Sequence, residues 1–163
     1  MTEPSPPPSE PTTGFDLNRV QADLRSAGRI PLSLAAIGLL TLIWSFLPYY
    51  TVTFSSAAGF GGVSGSGSAW HGFFGWAGAL LALAGGAVAI LPALRVRVTV
   101  PPVTVLALFG VGFVCTLMAL FIWPGDKVSM QGLDYGHGAG YWLALLFTLA
   151  GTAIAAYDVR QRA

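Results

Sequence analysis

Three long stretches of this 163-residue chain carry no charged side chain: residues 31–94, 98–125 and 135–157. A charge at the centre of a spanning helix costs roughly 2.5 to 3.5 kcal/mol on insertion scales, so such blocks suit a bilayer. Only 9% of all residues are charged, against roughly 25% in an ordinary soluble domain. Eight Lys and Arg against seven Asp and Glu leave no basic excess of the kind that binds nucleic acid. The lipid bilayer is therefore the first expected partner.

A spanning helix needs about 20 mostly apolar residues, and the blocks divide into four such runs, at about 31–50, 71–94, 99–123 and 138–157. The expected fold class is all-α integral membrane, with four transmembrane helices as two parallel-orientation helical-hairpin repeats. Residues 1–14 read as a disordered Pro-rich tail. Over residues 15–29, Leu17, Val20 and Leu24 recur at helical spacing behind Asp16, and Gly28 supplies a stop. That segment is expected to be a short cytoplasmic amphipathic helix on the membrane surface. Residues 30–158 then form the membrane domain and residues 159–163 a second tail. Retention of the first span as an anchor is preferred over cleavage at the small residues Ser56 and Ala58.

Seven of the eight basic residues set the orientation. Arg19, Arg25, Arg29, Arg95, Arg97, Arg160 and Arg162 fall on one side of the four spans, and Lys127 alone on the other. The positive-inside rule makes both termini cytoplasmic in a multi-pass plasma (inner) membrane protein. Of the first outer loop, residues 49–54 alternate in a β-prone manner while residues 55–69 are Gly/Ser-rich and expected to be flexible. Residues 127–131 of the second outer loop are candidates for a further strand.

Self-comparison adds an internal repeat. At an offset of 66 residues, HGFFGWAGALLALAGGAVA (71–89) lies against HGAGYWLALLFTLAGTAIA (137–155) with nine of nineteen positions identical, His71/His137 and Trp76/Trp142 among them. Two hairpins of the same orientation imply a pseudo-twofold axis along the membrane normal. Gly78, Ala82 and Gly86 form a small-residue ladder on the second span, and Ala144, Thr148 and Thr152 form its counterpart on the fourth. Small residues let helix backbones approach in lipid, so these ladders are expected to cross each other at the bundle centre.

His71 and His137 are the one lead toward chemistry. Brought together by the pseudo-twofold, they would make a pH-sensing or metal pair, with Asp134 and Tyr135 as the only nearby supplements. The alternative places both in an interfacial belt with Trp44, Tyr49, Trp70, Trp76, Trp123 and Trp142, whose amphipathic rings favour the headgroup layer. No catalytic motif is present, so no enzyme activity and no cofactor is expected. The single cysteine, Cys115, reads as a small buried hydrophobe. Charge-free spans also argue against ion-coupled transport.

The tetraspan layout, the Trp44 to Pro48 end of the first span, the Gly/Ser loop running into AWHGFFGW and the Pro/Thr-rich tail resemble small uncharacterised four-helix membrane proteins of actinobacteria. The resemblance implies a plasma-membrane location and carries no activity. The leading functional expectation is a non-enzymatic protein acting by association, as an accessory or scaffold subunit of an envelope complex or as a small homo-oligomer. A small channel or carrier for lipid or another uncharged substrate is the alternative, and a membrane enzyme ranks third.

Overall fold

The structure is a computed structural model that describes residues 21, 28–55, 62–94, 100–125 and 132–162. In chain order it contains α1 (Arg29–Trp44), β1 (Tyr50–Phe54), β2 (Val63–Gly67), a 3-10 turn (Ala69–His71), α2 (Phe73–Ile90), α3 (Pro102–Phe121), β3 (Leu133–His137) and α4 (Ala139–Arg162). The fold is mostly helical, as expected for a membrane-embedded protein, with a three-stranded sheet that the all-α reading leaves out. The expected tail, most of the expected surface helix, the Arg95–Arg97 connection and the strand expected at 127–131 lie outside the described residues.

Helices α2, α3 and α4 are each long and apolar enough to cross a membrane, whereas α1 is a shorter apolar helix of 16 residues. At 1.5 Å per residue α1 spans about 24 Å, less than the roughly 30 Å of a bilayer core. The run expected to continue to Tyr50 stops at Trp44 for a local reason. After Ser45 donates to the Thr41 carbonyl, Phe46 and Leu47 tighten into three-residue turns, and Pro48 brings no N–H to extend the ladder. The next two residues leave the helix and enter the sheet.

The four helices form a ring in which α1 and α3 each pack against both α2 and α4. Large side chains such as Leu39, Phe121 and Leu146 are exposed on the outside, while most inward positions of α2 and α4 are Gly, Ala and Thr. This is the reverse of a water-soluble bundle, and lipid is the solvent it suits. Buried threonine hydroxyls in the helices are satisfied locally. Thr41 donates to Ile37, Thr116 to Gly112 and Thr148 to Ala144, each at 2.8 to 3.0 Å, the back-bonding that lets threonine sit inside a helix.

At one end of the ring the sheet runs in the order β2-β1-β3, all antiparallel. Tyr50 lies opposite Gly67 on one side and His137 on the other, and Val52 opposite Gly65 and Tyr135. Directly opposed residues share a face, so Tyr50, Val52, Tyr135 and His137 point one way, and Thr51, Thr53, Ser64, Ser66 and Asp134 the other. The aromatic face meets the helix ends, and the polar face is turned away from them. The Gly/Ser segment expected to be flexible thus supplies strand β2, and the third strand is Leu133–His137.

Candidate functional site

The helix ends beneath the sheet hold a cluster of buried aromatic rings. Tyr49, Tyr50 and Tyr141 are 1%, 4% and 0% exposed. Tyr49 stacks edge-on against both Tyr50 and Tyr141, at 5.1 and 5.2 Å between ring centres. Backbone bonds hold this arrangement: Tyr49 donates to the Gly67 carbonyl and accepts from Gly138. The hydroxyls of Tyr50 and Tyr141 have no hydrogen-bond partner among the described residues. Thr116, beside Tyr49, gives its own hydroxyl to the Gly112 carbonyl. Burial, reinforced by Tyr141, pushes the Tyr50 phenol up to about 12, and burial raises Tyr49 in the same direction.

The two repeat-related histidines occupy different surroundings. His137 ends β3 and bonds the Ala119 carbonyl near the C-terminus of α3 at 3.2 Å. Its ring lies 4.4 Å from Tyr141, 5.6 Å from Trp123 and 5.8 Å from Tyr50. His71 instead lies exposed in the 3-10 turn after β2, with Nδ1 3.3 Å from both the hydroxyl and the carbonyl oxygen of Ser68. The sheet puts β1 between the strand preceding His71 and the strand ending in His137, and the Tyr50 ring packs against the imidazole of His137. Asp134 belongs to the opposite face of β3 from His137, so strand alternation parts the carboxylate from the imidazole. Among the described residues no group of three or more His, Cys, Asp or Glu gathers as metal ligands would.

Beside Tyr50, on its β2 side, a slot of about 300 Å³ opens. Its walls are Tyr50, Val52, Trp123 and Pro124, with His71 and the backbone of β2 opposite. The slot has a simple origin. On the inward face β3 carries Tyr135 and His137, whereas the corresponding β2 positions are Gly65 and Gly67. Two missing side chains leave the space.

The chain matches no known protein family, no curated protein and no solved structure. The candidate site therefore stands on its own geometry.

The ladder residues are placed as a bundle interior requires, with a correction to their partners. Gly78, Ala82, Gly86, Ala144 and Thr148 are buried, and Thr152 is half-buried with its hydroxyl on the Thr148 carbonyl. The two ladders are not each other's main partners, because α2 and α4 lie diagonally across the ring. A Cβ on Gly78 would fall 2.5 Å from the Thr116 hydroxyl of α3, and one on Gly86 would fall 2.9 Å from the Leu34 carbonyl of α1. Phe109 of α3, fully buried, abuts both Gly85 of α2 and Gly151 of α4. These repeat-equivalent glycines are thus separated by one ring.

The aromatic belt also divides. Trp70 and Trp142 are exposed, with Trp70 donating to the Ser45 hydroxyl at 3.1 Å, and Trp76 is half-buried. Tyr49 is buried in the aromatic cluster. Trp44 is half-buried with its indole N–H enclosed and unpartnered among the described residues, while Trp123 packs edge-on to Tyr50 and Tyr135. Cys115 is half-buried on α3. At the far end of the bundle, Arg162 grips Asp158 through two bonds of 2.9 and 3.0 Å, the i,i+4 pair their spacing anticipates.

Proposed function

We propose that this is a non-enzymatic, multi-pass inner-membrane protein that acts by association, as an accessory or scaffold subunit of an envelope complex or as a small homo-oligomer. Its four apolar helices lie in the membrane as two hairpins of common orientation, with both termini cytoplasmic and the sheet on the outer side. The distribution of the basic residues along the sequence, seven of eight on one side of the four expected spans, supports that orientation. The resemblance to small tetraspan proteins of actinobacteria supports the plasma-membrane location.

The observation that carries this reading is Phe109. A channel or carrier working as a single chain needs a path between its helices, and here the ring centre is filled by a fully buried phenyl group clasped by Gly85 and Gly151. Association needs no such path. It uses the outer surface, where large apolar side chains such as Leu39, Phe121 and Leu146 are available to lipid or to another helix. Purification of the full chain in a mild detergent, followed by native mass spectrometry, tests the proposal. A stoichiometric partner or a defined homo-oligomer is the expected result. A monomer that passes uncharged solutes across reconstituted vesicles would instead establish the carrier reading.

A further inference from the structure

We propose that the slot between β2 and the Trp123–Pro124 corner binds a neutral glycosyl group, presented by a free sugar or by the headgroup of a glycolipid. The inference is independent of whether the chain self-associates. It rests on a cavity built by strand register and on a buried hydroxyl of a lining residue that lacks a partner among the described residues.

Size sets the first limit. About 300 Å³ lies at the lower end of ligand pockets, enough for a single hydroxylated ring and too little for an extended peptide. Charge sets the second. Among the described residues that line the slot there is no Lys, Arg, Asp or Glu, and against that wall a charged ligand would lose its hydration without gaining a counter-charge. Chemistry sets the third. Of the two wall rings, which meet edge to face at 5.1 Å and 69°, Tyr50 is buried and Trp123 half-buried, so it is the negative face of Trp123 that would attract the weakly positive C–H face of a sugar. An apolar ligand would satisfy those rings but not the rest of the wall.

The polar groups are the distinguishing part. The Tyr50 hydroxyl sits between Gly72 and Pro124, where a Cβ added to Gly72 would come within 2.7 Å of it, and it has no hydrogen-bond partner among the described residues. A buried hydroxyl left unpaired costs about 1–3 kcal/mol, a cost that a ligand hydroxyl reaching it from the slot would remove. Ser68 engages His71 through Nδ1, which leaves Nε2 as the ring nitrogen for the ligand. Gly67 keeps the approach open, since a Cβ there would touch the imidazole at 3.4 Å. In the proposed orientation the slot lies at the outer headgroup level, so both a dissolved sugar and a lipid-borne one can reach it.

The test uses the full-length protein in nanodiscs or in a detergent without a sugar headgroup. Methyl glucoside is the free probe, followed by saturation-transfer NMR, and glucosyl diacylglycerol in the nanodisc is the lipid probe, followed by retention in native mass spectrometry. Binding of either supports the proposal, and the one that binds more tightly identifies the source. Gly65→Phe should weaken binding at least tenfold by filling the slot, because a Cβ at Gly65 meets nothing within 4 Å. Ser64→Phe, on the polar face, should leave it unchanged. Should Gly65→Phe fail to fold, Tyr50→Phe removes only the unpaired hydroxyl and should weaken binding about threefold to tenfold. No binding of either probe, wild-type binding by both slot variants, or tighter binding of choline than of the sugar would overturn the inference.

Discussion

Tyr50 joins three parts of the molecule through one side chain: it lies opposite residues of both neighbouring strands, caps the helix ring and forms one wall of the slot. Its burial gives the protein an alkaline limit. With the folded phenol pushed from 10.0 to about 12, the unfolded chain gives up its proton first as pH rises. The stabilising contribution is complete below pH 10 and is lost as pH climbs toward 12, with Tyr49 acting in the same sense. Thermal unfolding followed by near-UV circular dichroism across that range should show a falling midpoint for the wild type and a smaller fall for Tyr50→Phe. Identical alkaline profiles would mean that the phenol is not buried in solution.

At the scale of elements, close helix contact depends on particular glycines and not on the apolar run as a whole. Gly86→Leu drives a side chain into the α1 backbone at Leu34 and Ala35 and should cost about 3 kcal/mol. Leu81→Ala, at a half-buried position, should cost about 1 kcal/mol. Comparing the thermal midpoints of the two variants in one detergent checks this, and equal losses would remove the support for an α1–α2 contact at Gly86. Positions of α2, α3 and α4 were legible from hydropathy because each follows a long charge-free run. The end of α1 was not, since the apolar character of Tyr49 and Tyr50 is the same whether they extend a helix or enter a sheet. Strand β1 was readable in the alternation of residues 50–54. Strand β2 was hidden, because VSGSG carries flexible-loop composition and becomes a strand only by pairing with β1. The slot was equally hidden. Gly65 and Gly67 mean an empty volume only once the register puts Tyr135 and His137 across from them.

For the molecule as a whole, the proposed orientation rests on the basic residues. A reporter fused after Ala163 should behave as cytoplasmic, and one inserted between Phe54 and Val63 as external. Protection of the second reporter from an externally added protease would reverse the assignment. The sheet has a mechanical consequence as well. β1 and β2 come from the first half of the chain and β3 from the second, so the β1–β3 ladder stitches the two helix pairs together at one end. A stitched end acts as a pivot. Any scissoring of the halves must be widest at the other end, around Ile30, Val88 and Val105, where a small gap of about 40 Å³ already separates the helices beside the Asp158–Arg162 pair.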